Sequence, residues 1–191
     1  MIQLLDKPQQ FTHAGFSWGE FKTLQRAFDE KPGIRVAYFK GEVEILTVSP
    51  EHAIIAENLG FLLETWMLDR GIDFVATGDM TVERERVVSA QGDKSYCFDS
   101  KQLVPDLSIE VVIKGEGTSK LKRYAELRVK EVWFWQEGEI SIYRLQDNQY
   151  QEATVSQFAP GIDLFHLAQC AAVESRAKAV KQFRANSPNQ E

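Results

Sequence analysis

Residues 104–120 read VPDLSIEVVIKGEGTSK, and the two carboxylates inside this run decide what kind of sheet the chain builds. Side chains alternate faces along a strand, so Leu107, Ile109, Val111 and Ile113 share one face. Asp106, Ser108, Glu110 and Val112 share the other. A charge is costly to bury unless it is paired, protonated or bound to a metal. Two explanations compete: an edge strand with a solvated polar face, or a buried strand whose acids are turned into a polar site.

Downstream, Thr118 or Ser119 is placed to cap a helix reaching about Leu127, with Lys120 at its start, ten residues past Glu110. The segment from Lys114 to Lys130 holds six basic residues against Glu116 and Glu126. On charge alone this is a solvated helix face. Val132–Gln136 and Glu139–Leu145 follow as a hairpin about Glu137-Gly138, extended by Gln149–Ala153. The alternating Trp133-Phe134-Trp135 reads as core. A last helix is expected from about Asp163 to Arg184, with residues 187–191 frayed.

Upstream, Ser17-Trp18-Gly19-Glu20 has the form of a capping box and opens a helix to about Glu30. Strands near Arg35–Phe39 and Glu42–Thr47 meet at Lys40-Gly41. Ser49-Pro50-Glu51 starts the clearest helix, to about Asp69, with Ile55, Leu59, Leu62 and Trp66 at helical spacing. Short strand-like pieces occupy Asp73–Arg86 and Lys94–Phe98. The pattern predicts an α/β fold, a mixed sheet flanked by helices, as one domain over residues 1–191 with its core at about 17–184.

More acids stand in strand-like contexts. Glu42 and Glu44 share one face of GEVEILT, and Asp93 sits in GDKSYCF just before a strand. Carboxylates converging from neighbouring strands suit a hard divalent cation such as Mg²⁺. A lysine beside them can steady developing phosphate charge or orient a water. The bland alternatives are solvent-facing acids on edge strands and, for Gly92-Asp93, an ordinary turn. His52, just after Ser49-Pro50-Glu51, reads as a hydrogen-bonding residue at a helix start rather than a base.

Composition narrows the function classes. A net charge of −6 and a pI near 5.2 argue against coating by nucleic acid over the whole surface. No apolar run approaches the roughly 18 residues of a membrane span, and the opening residues lack an export-signal pattern, so a cytoplasmic location is expected. Cys97 and Cys170, far apart in sequence, read as reduced thiols. His13, His52 and His166 form no zinc-binding spacing. There is no G-x-S-x-G elbow, Walker loop or G-x-G-x-x-G.

GEVEILTVSPEH resembles the G-x-L-E-I-M-T-P-S-x-x-H segment of a large family, abundant in cyanobacteria, described as restriction endonucleases of the PD-(D/E)xK nuclease superfamily. VPDLSIEVVI resembles its P-P-D-L-x-I-E-V strand, and KLKRYAELRVKEVWFW its K-x-x-x-Y-x-x-x-G-V-x-E-x-W segment. The resemblance implies a restriction-endonuclease-like core and Mg²⁺-dependent hydrolysis of DNA phosphodiesters, with Mn²⁺ as a substitute. Glu44, Asp93 and Glu110 would hold the metal, and Lys120 would serve as the lysine of the motif, since Val112 stands at its ordinary place. Asp106, Glu42 and His52 would be auxiliary, and Lys122 and Arg123 would contact nucleic acid. A homodimer is expected, because enzymes of this type often pair to cut both strands. Departures are visible: Gln91-Gly92-Asp93 replaces E-P-D, Arg128 replaces a glycine, and Ala53 an acid. The rival readings are a binding module that keeps the nuclease fold without chemistry, and a metal-dependent hydrolase on another substrate.

Overall fold

The strand of the opening stretch is central rather than peripheral. It spans Leu107–Val112, and all six residues are buried in the computed structural model, which describes residues 9–115 and 117–185. The expected fraying of residues 187–191 lies outside the described residues. In chain order the elements are β1 (Gln10–Ala14), α1 (Trp18–Phe28), β2 (Ile34–Phe39), β3 (Glu42–Thr47), α2 (Pro50–Leu68), β4 (Phe74–Ala76), β5 (Thr81–Arg84), β6 (Val88–Gln91) and β7 (Lys94–Phe98). Then come β8 (Leu107–Val112), a 3₁₀ turn (Gly117–Lys120), α3 (Leu121–Leu127), β9 (Glu131–Gln136), β10 (Glu139–Gln146), β11 (Gln149–Ala153), α4 (Leu164–Ala171) and α5 (Arg176–Ala185).

The strands form two sheets instead of the single mixed sheet expected. The first has order β1-β3-β2-β6-β5 and is antiparallel throughout. The second has order β11-β10-β9-β8-β7-β4, with β8 and β9 parallel. That parallel pair requires a crossover, which the 3₁₀ turn and α3 provide. The chain passes from sheet to sheet between Gln91 and Lys94, so Gly92 and Asp93 lie at the seam.

Both faces of β8 are covered. Leu107, Ile109 and Val111 pack with Ile55, Leu59, Leu62, Leu63 and Trp66 of α2, while Val112 joins Tyr124, Leu127 and Phe134 on the other side. Trp133 and Trp135 belong to the first cluster and Phe134 to the second, as strand alternation requires. A third cluster, Phe21, Tyr38 and Val43, seats α1 on the first sheet. The solvated-edge explanation of Asp106 and Glu110 therefore fails, since both are buried. Both cysteines are buried and free.

The caps behave as their sequences ask. The Ser17 backbone N–H donates to Glu20 at 2.8 Å, completing a capping box. Ser49 Oγ accepts from the His52 backbone at 3.2 Å and starts α2. Three expectations need correction. The last helix is two, because Asn58 of α2 donates to the Ala171 and Val173 carbonyls at 3.3 and 2.7 Å and takes over the helix end. The helix expected from Thr118 begins at Leu121 after the 3₁₀ turn, and Lys120 makes no side-chain cap. Strands β1 and β6 have no counterpart in the sequence reading. The β1 residues are all exposed, so only pairing with β3 defines the strand, and β6 is four residues long.

Candidate active site

Glu44, Asp93, Glu110, Lys120, His52, Arg35, Arg123 and Tyr124 line one small cleft where the sheets meet. Each arrives from a different part of the fold. Glu44 comes from β3 and Arg35 from β2 of the first sheet, Asp93 from the seam, and Glu110 from the middle of β8. His52 sits in the first turn of α2, and Lys120, Arg123 and Tyr124 come from the crossover. A wider cavity of about 190 Å³ adjoins the cleft, sharing Glu44, His52 and Lys120 and bounded by Gln10, Lys114 and Gly117.

Three buried carboxylates in one place are tolerable only with partners, and every one of their six oxygens has one. Glu44 accepts from Gln10 Nε2 at 2.7 Å and from the Arg123 guanidinium. Asp93 accepts from the Val111 backbone at 2.6 Å, pairs with His52 Nε2 at 3.1 Å and is bridged by Arg35. Glu110 accepts from Lys120 Nζ at 2.7 Å and from the Tyr124 hydroxyl. Three acids thus face three permanent cations. With Nε2–H donating to Asp93, His52 Nδ1 is buried and has no hydrogen-bond partner among the described residues.

The same contacts set the titration behaviour. Burial pushes the Asp93 carboxyl up, but the His52 hydrogen bond and the Arg35 charge outweigh it and bring it down to about 2. Burial opposes charge on Lys120, yet Glu110 and Asp93 outweigh that and raise its pKa. Tyr124 is driven well above its ordinary value by burial and then by Glu110, so it stays protonated and donates.

Other residues fall elsewhere than expected. Asp106 does not share the cleft. Its side chain accepts from the Phe98 backbone at 2.8 Å and pairs with Lys130 at 2.6 Å. Four residues along a strand are about 13 Å, so Asp106 and Glu110 share a face but not a place. Glu42 is half-exposed and meets Arg123 at 3.7 Å. Arg123 itself is taken up by Glu44 rather than held out for nucleic acid, whereas Lys122 is exposed. Lys120, read as an exposed helix-start residue, is only 20% exposed along its side chain.

Sequence reasoning passed over Arg35, Tyr124 and Gln10. The usable signal for Arg35 was a cation inside the apolar strand IRVAYF. Gly117 was missed too. A Cβ there would lie 2.7 Å from Phe134 Cδ1 and 2.9 Å from Val112 Cγ2. This close approach presses the 3₁₀ turn carrying Lys120 against β8 and β9. Gly117→Ala is therefore expected to cost about 1–3 kcal/mol by overpacking and to lower any activity that depends on where Lys120 is held. A thermal melt and a turnover assay check this; wild-type values in both would show that the tight seating is not what holds Lys120.

Among the described residues, no three His, Cys, Asp or Glu side chains stand as a ready metal cluster. The donor set nevertheless fits a hard divalent cation in kind, being three carboxylates in one cleft. The cations now holding them, Arg35 and Arg123 on guanidinium forks and Lys120 on a flexible stem, are the groups such an ion would displace.

A crystal structure of a putative nuclease belonging to DUF820 from Anabaena variabilis ATCC 29413 is similar to this chain, with a TM-score of 0.59 at 15% identity, covering 83% of this chain and 99% of that one. At that identity the likeness speaks to the fold alone. No curated protein matches. No helix among the described residues is long and apolar enough to cross a membrane. The model of the Uma2 family, described as a putative restriction endonuclease, matches residues 18–172, most of the chain. The chain belongs to that family.

Proposed function

We propose that the protein is a metal-dependent endonuclease that hydrolyses DNA phosphodiester bonds in the Glu44–Asp93–Glu110–Lys120 cleft. One observation carries the reading: three buried carboxylates and a lysine only 20% exposed, from both sheets and the crossover, are gathered in one cleft. A fold has no stability reason to do this, because apolar residues of similar volume would be as stable or more so. Glu44, Asp93 and Glu110 would hold Mg²⁺, or Mn²⁺ in its place. The bound ion supplies Lewis acidity and a water of lowered pKa.

The chain's own groups do the rest. Glu110 and Tyr124 fix the position of Lys120, whose ammonium is aimed where charge develops on a scissile phosphate. His52 and the Val111 amide orient Asp93. Arg35 and Arg123 neutralise the cleft at rest. Severing both strands at one locus calls for two such clefts, so the reading includes a homodimer.

The test is thermal melting with Mg²⁺ or Mn²⁺, together with plasmid nicking. An ion at a hundredfold excess over its Kd stabilises the native state by about 2.7 kcal/mol. That corresponds to roughly 5–10 °C in a chain of this size. Mn²⁺ is expected to act more strongly than Mg²⁺. Glu110→Ala should remove the shift. Absence of both a shift and nicking in wild-type protein sinks the metal-nuclease reading in favour of a binding module on a nuclease fold.

A further inference from the structure

Among the described residues, seven non-glycine residues hold positive φ, and three of them are cations: Lys40 at 47°, Arg86 at 62° and Arg128 at 66°. This left-handed conformation disfavours a side chain with a Cβ and is the ordinary place of glycine or asparagine. The three cations end three different elements. Lys40 tips the β2–β3 hairpin, Arg86 tips the β5–β6 hairpin, and Arg128 follows the last turn of α3. The fold nevertheless brings them together. The Lys40 amide donates to the Val87 carbonyl at 2.8 Å, joining the two hairpin tips side by side.

These tips border an open hollow of about 550 Å³, lined by Lys40, Arg84, Lys122 and Arg128 with one carboxylate, Glu126. Glu126 is shared between Lys40 and Arg84, each at 2.6 Å. Arg86, 80% exposed, stands on the same hairpin and pairs at 3.4 Å with its solvent-facing neighbour Glu85, an exposed contact that a phosphate can displace. Four lining cations against one acid run counter to a chain whose net charge is −6. On the crossover, Lys120, Arg123 and Tyr124 face the candidate active site, while Lys122, Ala125 and Glu126 face the hollow. The separation is about one helix diameter, roughly 10 Å. At 3.4 Å per nucleotide step along a strand, that is about three steps.

We propose that this hollow and its rim, Lys40, Arg84, Arg86, Lys122 and Arg128, form a docking track for the phosphate backbone of duplex DNA flanking the cleft. Three of its cations occupy turn positions where glycine or asparagine is locally better, because the ligand requires their charge. The inference rests on the nuclease reading for the choice of DNA, but its readout is binding and needs no chemistry. Guanidinium and ammonium groups spread over three turns match a repeating row of phosphates; a small anion would ask for convergence on one point.

The experiment uses the full chain, a fluorescein-labelled 20-base-pair duplex, EDTA to prevent cleavage, and anisotropy titrations between 50 and 200 mM KCl. The variant combines Lys40→Asn, Arg86→Asn and Arg128→Gly, which remove charge while installing residues that suit positive φ. It should melt no lower than wild type, bind at least about tenfold more weakly at the middle of the salt range, and lose about 2–3 from the slope of log affinity against log salt. Wild-type affinity and slope in the variant overturn the track, as does a variant that melts lower, which would make these residues turn-formers only. A preference for an RNA hairpin over the duplex, or self-association of the acidic chain through the rim in place of DNA binding, overturns it too. Wild-type protein that binds the duplex through the rim but never cleaves leaves the track standing and removes the proposed chemistry.

Discussion

Lys120→Ala is expected to reduce DNA cleavage by about a hundredfold or more at saturating DNA, the usual consequence of removing one charged contact to a developing oxyanion. The loss belongs in kcat, because the ammonium sits 2.7 Å from Glu110 at the floor of the cleft and not on the outer surface. Stability falls as well: Glu110 is buried, and truncating its cation leaves the Tyr124 hydrogen bond and the more distant Arg35 charge to hold it. Lys120→Arg therefore belongs beside it, since it restores the charge and separates folding from chemistry. Lys122→Ala, on the exposed side of the same crossover, should keep kcat and weaken binding in a salt-dependent way. If Lys120→Ala retains more than about a tenth of wild-type turnover, or behaves like Lys122→Ala, the lysine is part of a basic surface and has no role at the reacting phosphate.

The second large effect is on folding. Asp93→Ala strands the Arg35 guanidinium, the Val111 amide and His52 Nε2 together at the seam of the sheets. Breaking a buried ion pair from one side costs about 3–5 kcal/mol. Equilibrium denaturation should show that loss at neutral pH. The acid limb carries a second signature. The Asp93 carboxyl is held at about 2, below its ordinary value of 3.8, so its contribution is complete above about pH 4 and disappears as pH falls through about 2. The size is about 2 kcal/mol. Asp93→Asn should lack this component, and identical acid limbs in wild type and Asp93→Asn would mean that the Arg35–His52 cage does not act on this carboxylate.

Local pattern carried the reading far where the physics was local. The capping box at Ser17, the Ser49-Pro50 start of α2 and the Trp133-Phe134-Trp135 alternation all appear as read. Strand parity put Glu110 and Asp106 on one face, and the resemblance named Glu44, Asp93, Glu110 and Lys120, which do line one cleft. Parity says nothing of position along a strand, and so Asp106 was drawn into a site it does not reach. Arg35 and Arg123 were hidden for a different reason. Their partners, Asp93 and Glu44, lie 58 and 79 residues away, and charge balance across such distances leaves no periodic trace. The division into two sheets was equally invisible, because the crossings between β4 and β5 and at Gly92-Asp93 look like ordinary turns.

The way the cleft is shared along the chain has a use beyond the native protein. Residues 99–103 form an exposed loop between β7 and β8. Everything before it carries Arg35, Glu44, His52 and Asp93; everything after it carries Glu110, Lys120, Arg123 and Tyr124. A chain parted in this loop yields two pieces, each with half of an electrostatically unbalanced set: two acids and one arginine in the first, one acid and two basic residues in the second. Neither piece alone can assemble the cleft, and the cleft charges that each piece leaves unbalanced are opposite in sign. The protein is thus a natural candidate for fragment complementation, in which recovered function reports that two fused partners have met.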